Sequence, residues 1–155
     1  MLATVSKATK VDKKAIMRFY KAQHYTASYI GQDHGYIVKC GEDIIASAII
    51  SAGQEKGSYW LLHGLVTDMA HRGNGIASLI LQAIFSEKNP LSQAKFTKII
   101  CFAEPKLQPL YLSNHFITYN TENEIAQLPH EFKQRFKRYR EKHKSLTCFL
   151  YCATN

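Results

Sequence analysis

Between residues 58 and 85 the hydrophobic period of the chain switches from strand to helix across a turn that holds two glycines. Residues 58–67 (SYWLLHGLVT) are apolar on both faces, as a central strand must be. Ile76, Leu79, Ile80, Ala83 and Ile84 then recur at i, i+3, i+4, i+7 and i+8, the stripe of an amphipathic helix. A buried strand that feeds an apolar helix so directly calls for layers of sheet and helix that cover each other, an α/β arrangement.

The rest of the chain repeats that alternation. Residues 2–7 are predicted as an edge strand. Asp12 caps a helix whose apolar positions are Ile16, Phe19, Tyr20 and His24. Residues 36–39 and 43–51 flank Cys40-Gly41-Glu42 as a hairpin rich in Ile and Val. Residues 95–103 (KFTKIICFA) return to strand, and Pro105 opens a short helix through Leu107, Leu110 and Tyr111. A short strand at 116–119 and a last one at 145–152 enclose a helix over 130–144, where Phe132, Phe136 and Tyr139 fall at i, i+4 and i+7. No repeat or linker divides the chain, so its 155 residues read as one domain, a mixed and mostly antiparallel sheet with helices on both faces.

Charge narrows the partners. Twenty Lys and Arg face twelve Asp and Glu, a net charge of +8. Residues 130–144 (HEFKQRFKRYREKHK) alone carry seven Lys and Arg against two Glu. Such a balance favours anionic partners and makes polycationic acceptors a poor match. The apolar runs 44–50 and 76–85 fall short of the ~18 residues that span a bilayer. The opening MLATVSKATKVDKK has no apolar signal core, so a cytoplasmic location without membrane contact is expected. Cys40, Cys101, Cys148 and Cys152 form no CxxC pair and no zinc spacing, and read as free, mostly buried thiols with no metal.

The glycine turn is where chemistry is legible. A strand–turn–helix junction aims backbone N–H groups and the positive end of the helix dipole at one spot, a cradle for phosphate. A Walker loop fails here, because Gly75 is followed by Ile76 rather than Lys-Ser/Thr. A dinucleotide fingerprint fails too, with Ser78 at its third glycine. A type I′ hairpin at Asn74-Gly75 is disfavoured by the helical period that follows.

What fits is Arg72-Gly73-Asn74-Gly75-Ile76-Ala77, an R/Q-x-x-G-x-G/A string, and here the chain resembles the GNAT superfamily of acetyl-CoA-dependent N-acetyltransferases. The resemblance implies that the backbone amides of residues 72–77 bind the CoA pyrophosphate. It implies that Leu65, Val66 and Thr67 on the preceding strand contact pantetheine. Leu110-Tyr111-Leu112-Ser113-Asn114-His115-Phe116 matches the family's Leu-Tyr-x-x-x-Gly-Phe pattern, except that His115 replaces glycine. Glu104 stands where many members have asparagine, and Met69 where proline is frequent. The helix at 130–144 looks like an insertion into the minimal fold.

By the same resemblance, the reaction is direct attack of a primary amine, from a small molecule or a protein, on the acetyl-CoA thioester. Tyr111 would be the general acid beside the departing sulfur. His63 would accept the amine proton, and alternation places it on one face with Leu65 and Thr67. The alternative for His63, a hydrogen-bonded core residue, stays open. His71 is expected to face solvent, and Cys101, inside an apolar strand, to be inert. Two further readings compete: a nucleic-acid-binding module using the basic helix 130–144, and a CoA-binding protein without activity. The aromatic stripe of that helix has core spacing, so nucleic acid is not expected as a partner. Tyr111 stands against the inactive reading. Monomer and homodimer remain equally open, as does the acceptor, whose site in this fold involves the first helix and the loop 24–36.

Overall fold

The computed structural model describes residues 3–26, 32–54 and 59–153. Among the described residues seven strands lie in the order β1-β2-β3-β4-β5-β7-β6: β1 Val5–Lys7, β2 His34–Cys40, β3 Asp43–Ala52, β4 Tyr59–Thr67, β5 Lys98–Ala103, β6 Ile117–Thr118 and β7 Thr147–Cys152. The β1/β2, β2/β3, β5/β7 and β6/β7 pairings are all antiparallel. Five α-helices accompany them among the described residues: α1 Lys13–Ala22, α2 Ile76–Ser86, α3 Gln108–Ser113, α4 Glu122–Ala126 and α5 His130–Lys142. The α/β class and the mostly antiparallel sheet are as the sequence leads one to expect. Contacts group the chain into two compact units, one of Met1–Ser51 with Leu62–Glu87, the other of Ala52–Leu61 with Lys88–Asn155.

In the first unit, the helical stripe Ile16, Phe19 and Tyr20 of α1 is buried against Ile37 of β2 and Ile49 of β3. His24 lies outside the helix at φ 57, a left-handed conformation that stops the α-helical run before it. On β2 the neighbour of Ile37 points the opposite way. The Tyr36 hydroxyl accordingly reaches Glu87 at 3.0 Å, just past the end of α2, so helices cover both faces. Burial and the adjacent carboxylate raise the Tyr36 pKa. In α2 the buried side chains are Ile76, Ile80, Leu81 and Ile84, while Leu79, expected in the stripe, is 42% exposed.

In the second unit, Phe132 and Phe136 of α5 pack with Ile100, Cys148 and Leu150. Phe149 points to the other face, where the Tyr111 ring of α3 stacks on it at 5.1 Å. The aromatic stripe of the basic helix is thus core, except that Tyr139 is 39% exposed. Strands are shorter than expected at 3–4, 95–97, 116, 119 and 145–146, the basic helix ends at Lys142 rather than at 144, and residues 2 and 58 lie outside the described residues. Helix α4 has no counterpart in the sequence expectations. Its capping box was nevertheless readable: Thr121 accepts from the Glu124 amide at 3.2 Å, and Glu124 accepts from the Thr121 amide at 3.0 Å. No cysteine pairs; Cys101 and Cys148 are buried, Cys40 is half-buried and Cys152 is exposed.

Candidate functional site

Strand β4 ends in a turn whose side chains tie it to itself. Asp68 accepts from the Ala70 amide at 2.7 Å and starts one tight turn at Met69–His71. Arg72 folds its Nε back onto the Thr67 carbonyl at 3.0 Å, and Asn74 donates its amide to the His71 carbonyl at 3.1 Å. Gly73 and Gly75 sit at φ 82 and 73, and Gly75 is the N-cap of α2. Asn74 is not in the left-handed region, which excludes the type I′ hairpin, since that turn needs positive φ at both central residues.

Glycine at the N-cap matters for what it lacks. The first amides of a helix have no intrahelical acceptor, and a Ser, Thr or Asp cap would ordinarily occupy one of them. Gly75 has no side chain and makes no cap bond. A Cβ at Gly73 or at Gly75 would meet no atom within 4 Å, so open space lies over this turn. The turn is thus braced by its own side chains, and the start of α2 has no side-chain cap from Gly75. His71, expected in solvent, is half-buried, with Nδ1 3.7 Å from Asp68 Oδ1.

Within β4 the alternation does not run as expected. Gly64 adopts φ +63 in the middle of the strand. Its carbonyl accepts from the Tyr20 hydroxyl at 2.6 Å, and its amide donates to the Tyr25 hydroxyl at 3.2 Å. His63 Nε2 lies 2.8 Å from Ser51 Oγ, on the β3 face that also carries Ile49. Val66 packs in the same cluster as Ile49. The left-handed residue therefore turns His63 to the face of Val66 rather than to that of Leu65 and Thr67. An isolated glycine inside a strand pattern is the signal that would have revealed this. Sequence reasoning singles out none of Gly64, Tyr25 and Ser51, and reads Tyr20 only as an apolar position of the first helix.

In the second unit Tyr111 is buried, 2% exposed, between Phe149 and Phe116, and it hydrogen-bonds the Cys101 thiol. Burial pushes that thiol up to about 12, and the Tyr111 hydrogen bond offsets only part of it. Cys101 is accordingly no nucleophile. His115 takes φ 70 after α3. Phe116 donates to the Tyr111 carbonyl at 3.0 Å and His115 to the Leu112 carbonyl at 3.3 Å, the two bonds of a Schellman cap with histidine in the usual glycine place. Glu104 accepts from Ser145 Oγ at 2.9 Å. Among the described residues no cluster of His, Cys, Asp and Glu is placed to hold a metal, and no helix is long and apolar enough to cross a membrane. Residues 27–31 of the loop 24–36 lie outside the described residues.

Residues 7–102 match the sequence profile described as the Acetyltransferase (GNAT) family. A search of the curated proteins finds no match. Solved structures do resemble the chain. N-acetylglutamate synthase from Neisseria gonorrhoeae, complexed with coenzyme A and N-acetyl-glutamate, matches with a TM-score of 0.70 at 11% identity, over 100% of this chain and 36% of its own. This chain therefore spans about a third of that synthase. An acetyltransferase of the GNAT family from Staphylococcus aureus Mu50 matches at 0.68 and 11% identity, over 99% of this chain and 100% of its own. The Rv2747 protein of Mycobacterium tuberculosis, in complex with CoA and NLQ, matches at 0.68 and 9% identity, over 97% and 99%. At such identities the likeness is one of fold.

Proposed function

The chain belongs to the GNAT acetyltransferase family, and from that premise we propose that it moves the acetyl group of acetyl-CoA onto a primary amine by direct attack. The observation that carries this is the braced turn with left-handed Gly73 and Gly75, whose uncapped helix start matches the needs of a pyrophosphate. Solved structures of the same fold bear CoA.

In this reading the backbone of Arg72, Gly73, Asn74, Gly75, Ile76 and Ala77 takes the pyrophosphate, and Leu65, Val66 and Thr67 take the pantetheine arm. The amine nitrogen attacks the thioester carbonyl, and the carbon–sulfur bond breaks as the tetrahedral intermediate collapses. His63 receives the proton the amine gives up, and Tyr111 supplies one to the departing thiolate. A neutral tyrosine, with an ordinary pKa near 10, suits a thiol whose ordinary pKa is near 8.5. The acceptor is a small molecule or a protein amine, and the chain acts in the cytoplasm as a monomer or homodimer.

The test is the melting temperature with and without acetyl-CoA, at two salt concentrations, for wild type and Gly75→Glu. At about 100 times its dissociation constant a ligand adds roughly 2.7 kcal/mol, on the order of 5 to 10 °C for this size. A rise in wild type that vanishes in a folded Gly75→Glu supports the reading. No rise at saturating acetyl-CoA would sink it.

A further inference from the structure

The outward side of α1 carries charge that the fold does not use. Ile16, Phe19 and Tyr20 are buried on one side of the helix. At about 100° per residue Lys13, Lys14, Met17, Arg18 and Lys21 fall on the other side, where they line a shallow depression of about 500 Å³. The four cations are exposed, and exposed Lys10 stands just ahead of them. Among the described residues none of these five cations has a carboxylate partner. The acid of this stretch, Asp12, is engaged elsewhere: it accepts from the Thr9 amide at 2.8 Å and lies 3.7 Å from Lys39. The placement works against the helix. Its first turn, where the dipole favours negative charge, holds no acid and begins with Lys13 and Lys14. Lys10, Lys14 and Arg18 follow one another at i+4, a spacing at which like charges repel.

We propose that this side of α1 docks an acidic polypeptide segment, and that the segment belongs to the protein whose amine is acetylated. Its part in choosing the acceptor rests on the transferase reading; the docking itself does not. Carboxylates two residues apart on an extended segment are about 7 Å apart, against about 5.4 Å for one helical turn, and long lysine and arginine side chains take up the difference. Met17 adds an apolar contact between the cations. Nucleic acid fits this face less well. Single strands are held by stacking on aromatic rings, and Phe19 and Tyr20 belong to the core. A bilayer fits less well too, since surface helices bind it through a wide apolar face, and that of α1 packs with Ile37 and Ile49. From its buried side the same helix braces β4, the Tyr20 hydroxyl donating to the Gly64 carbonyl. A segment docked on α1 therefore runs along the element that holds the strand assigned to the pantetheine arm.

The first arm of the experiment needs no transfer. A fluorescent peptide of alternating Glu and Ala, with a free amino terminus, is titrated by anisotropy against three forms of the full chain. These are wild type, Lys14→Gln with Arg18→Gln, and Lys137→Gln with Arg138→Gln, which takes the same charge from α5. The expected result is a Kd raised roughly tenfold, and less sensitive to salt, in the α1 pair alone, with all three melting temperatures close together. Equal losses in the two pairs would mean attraction by net charge only and would overturn the docking face. So would binding no tighter than that of a peptide with Gln in place of Glu. Tighter, α1-dependent binding of a short oligonucleotide or of phosphatidylserine vesicles overturns the polypeptide as partner. The second arm measures transfer from acetyl-CoA to the acidic and the Gln peptides. There the KM for the acidic peptide is expected to rise in the α1 pair, with the KM for acetyl-CoA unchanged and the α5 pair like wild type. Equal KM for both peptides in wild type overturns the part of α1 in choosing the acceptor. Binding as expected without transfer to either peptide keeps the docking face and removes the transferase reading.

Discussion

The Tyr20 hydroxyl donates to the Gly64 carbonyl at 2.6 Å, and that bond joins the core face of α1 to the one left-handed residue of β4. A strand carbonyl normally looks to the next strand, so the tyrosine takes over a backbone bond at the point where the strand turns over its faces. The approach is tight. A Cβ on Gly64 would lie 2.8 Å from the tyrosine oxygen.

Removing either side should therefore cost stability unequally. Tyr20→Phe leaves a buried carbonyl short of a donor, worth about 1 to 3 kcal/mol. Gly64→Ala adds a steric conflict to a left-handed alanine, each on the order of 1 to 2 kcal/mol. Urea unfolding should rank wild type above Tyr20→Phe and Tyr20→Phe above Gly64→Ala. Midpoints that coincide would mean the bond contributes nothing.

His115 offers the opposite kind of change. It occupies φ 70 at a Schellman cap, where a side chain costs about 1 kcal/mol and glycine is free of that cost. His115→Gly is expected to raise the melting temperature by roughly 2 to 4 °C. The offset is the extra freedom glycine gains in the unfolded chain. A fall in melting temperature would show that the imidazole makes a contact worth more than the strain.

These positions also show what a sequence can and cannot display. The α2 stripe and the glycine turn were legible because helix period, strand pattern and turn chemistry are local. Leu79, expected in the stripe, is exposed, and Leu81, outside the expected positions, is buried, because the stripe is wide and the tertiary neighbours choose which edge is covered. The Thr121–Glu124 capping box lay in plain view and was passed over, since helix α4 is five residues long and has no apolar period to announce it. Gly64 was visible as a glycine in a strand. Nothing local, however, shows that Tyr20, forty-four residues earlier, accepts the consequence. The pairing of Ser51 with His63 depends on that same turnover and was invisible for the same reason.

Alkaline pH should expose the two buried thiols. Burial raises the pKa of Cys101 to about 12 and that of Cys148 also upward. A raised folded pKa means stability is complete below the unfolded value of ~8.5 and is lost as pH rises above it, because the unfolded chain gives up thiol protons first. Each thiol contributes a slope of roughly 1.4 kcal/mol per pH unit, until its own folded pKa is reached. Read between pH 8.5 and 10, before the tyrosines of the unfolded chain titrate, Cys101→Ala should roughly halve the thiol part of that slope. A slope unchanged in Cys101→Ala would show that its thiol titrates alike in both states.

The basic helix allows a contrast within one stripe. Phe136 is 2% exposed, stacked on Phe102 at 4.6 Å, and Arg140 sits over its ring with its guanidinium carbon 4.9 Å from the ring centre. Tyr139 also touches Phe102, at 6.0 Å, but is 39% exposed. Phe136→Ala should cost about 3 to 5 kcal/mol through lost burial and the cavity it leaves. Tyr139→Ala should cost on the order of 1 kcal/mol. Lys137→Ala and Arg138→Ala, both exposed and without a carboxylate partner among the described residues, should change stability by no more than about 0.5 kcal/mol. Since neighbouring cations on a helix repel, the sign of those last two changes is expected to be favourable. Urea curves of the wild type and the four variants settle the ordering, and a large loss from either cation would mean that this face of α5 is held by something other than solvent.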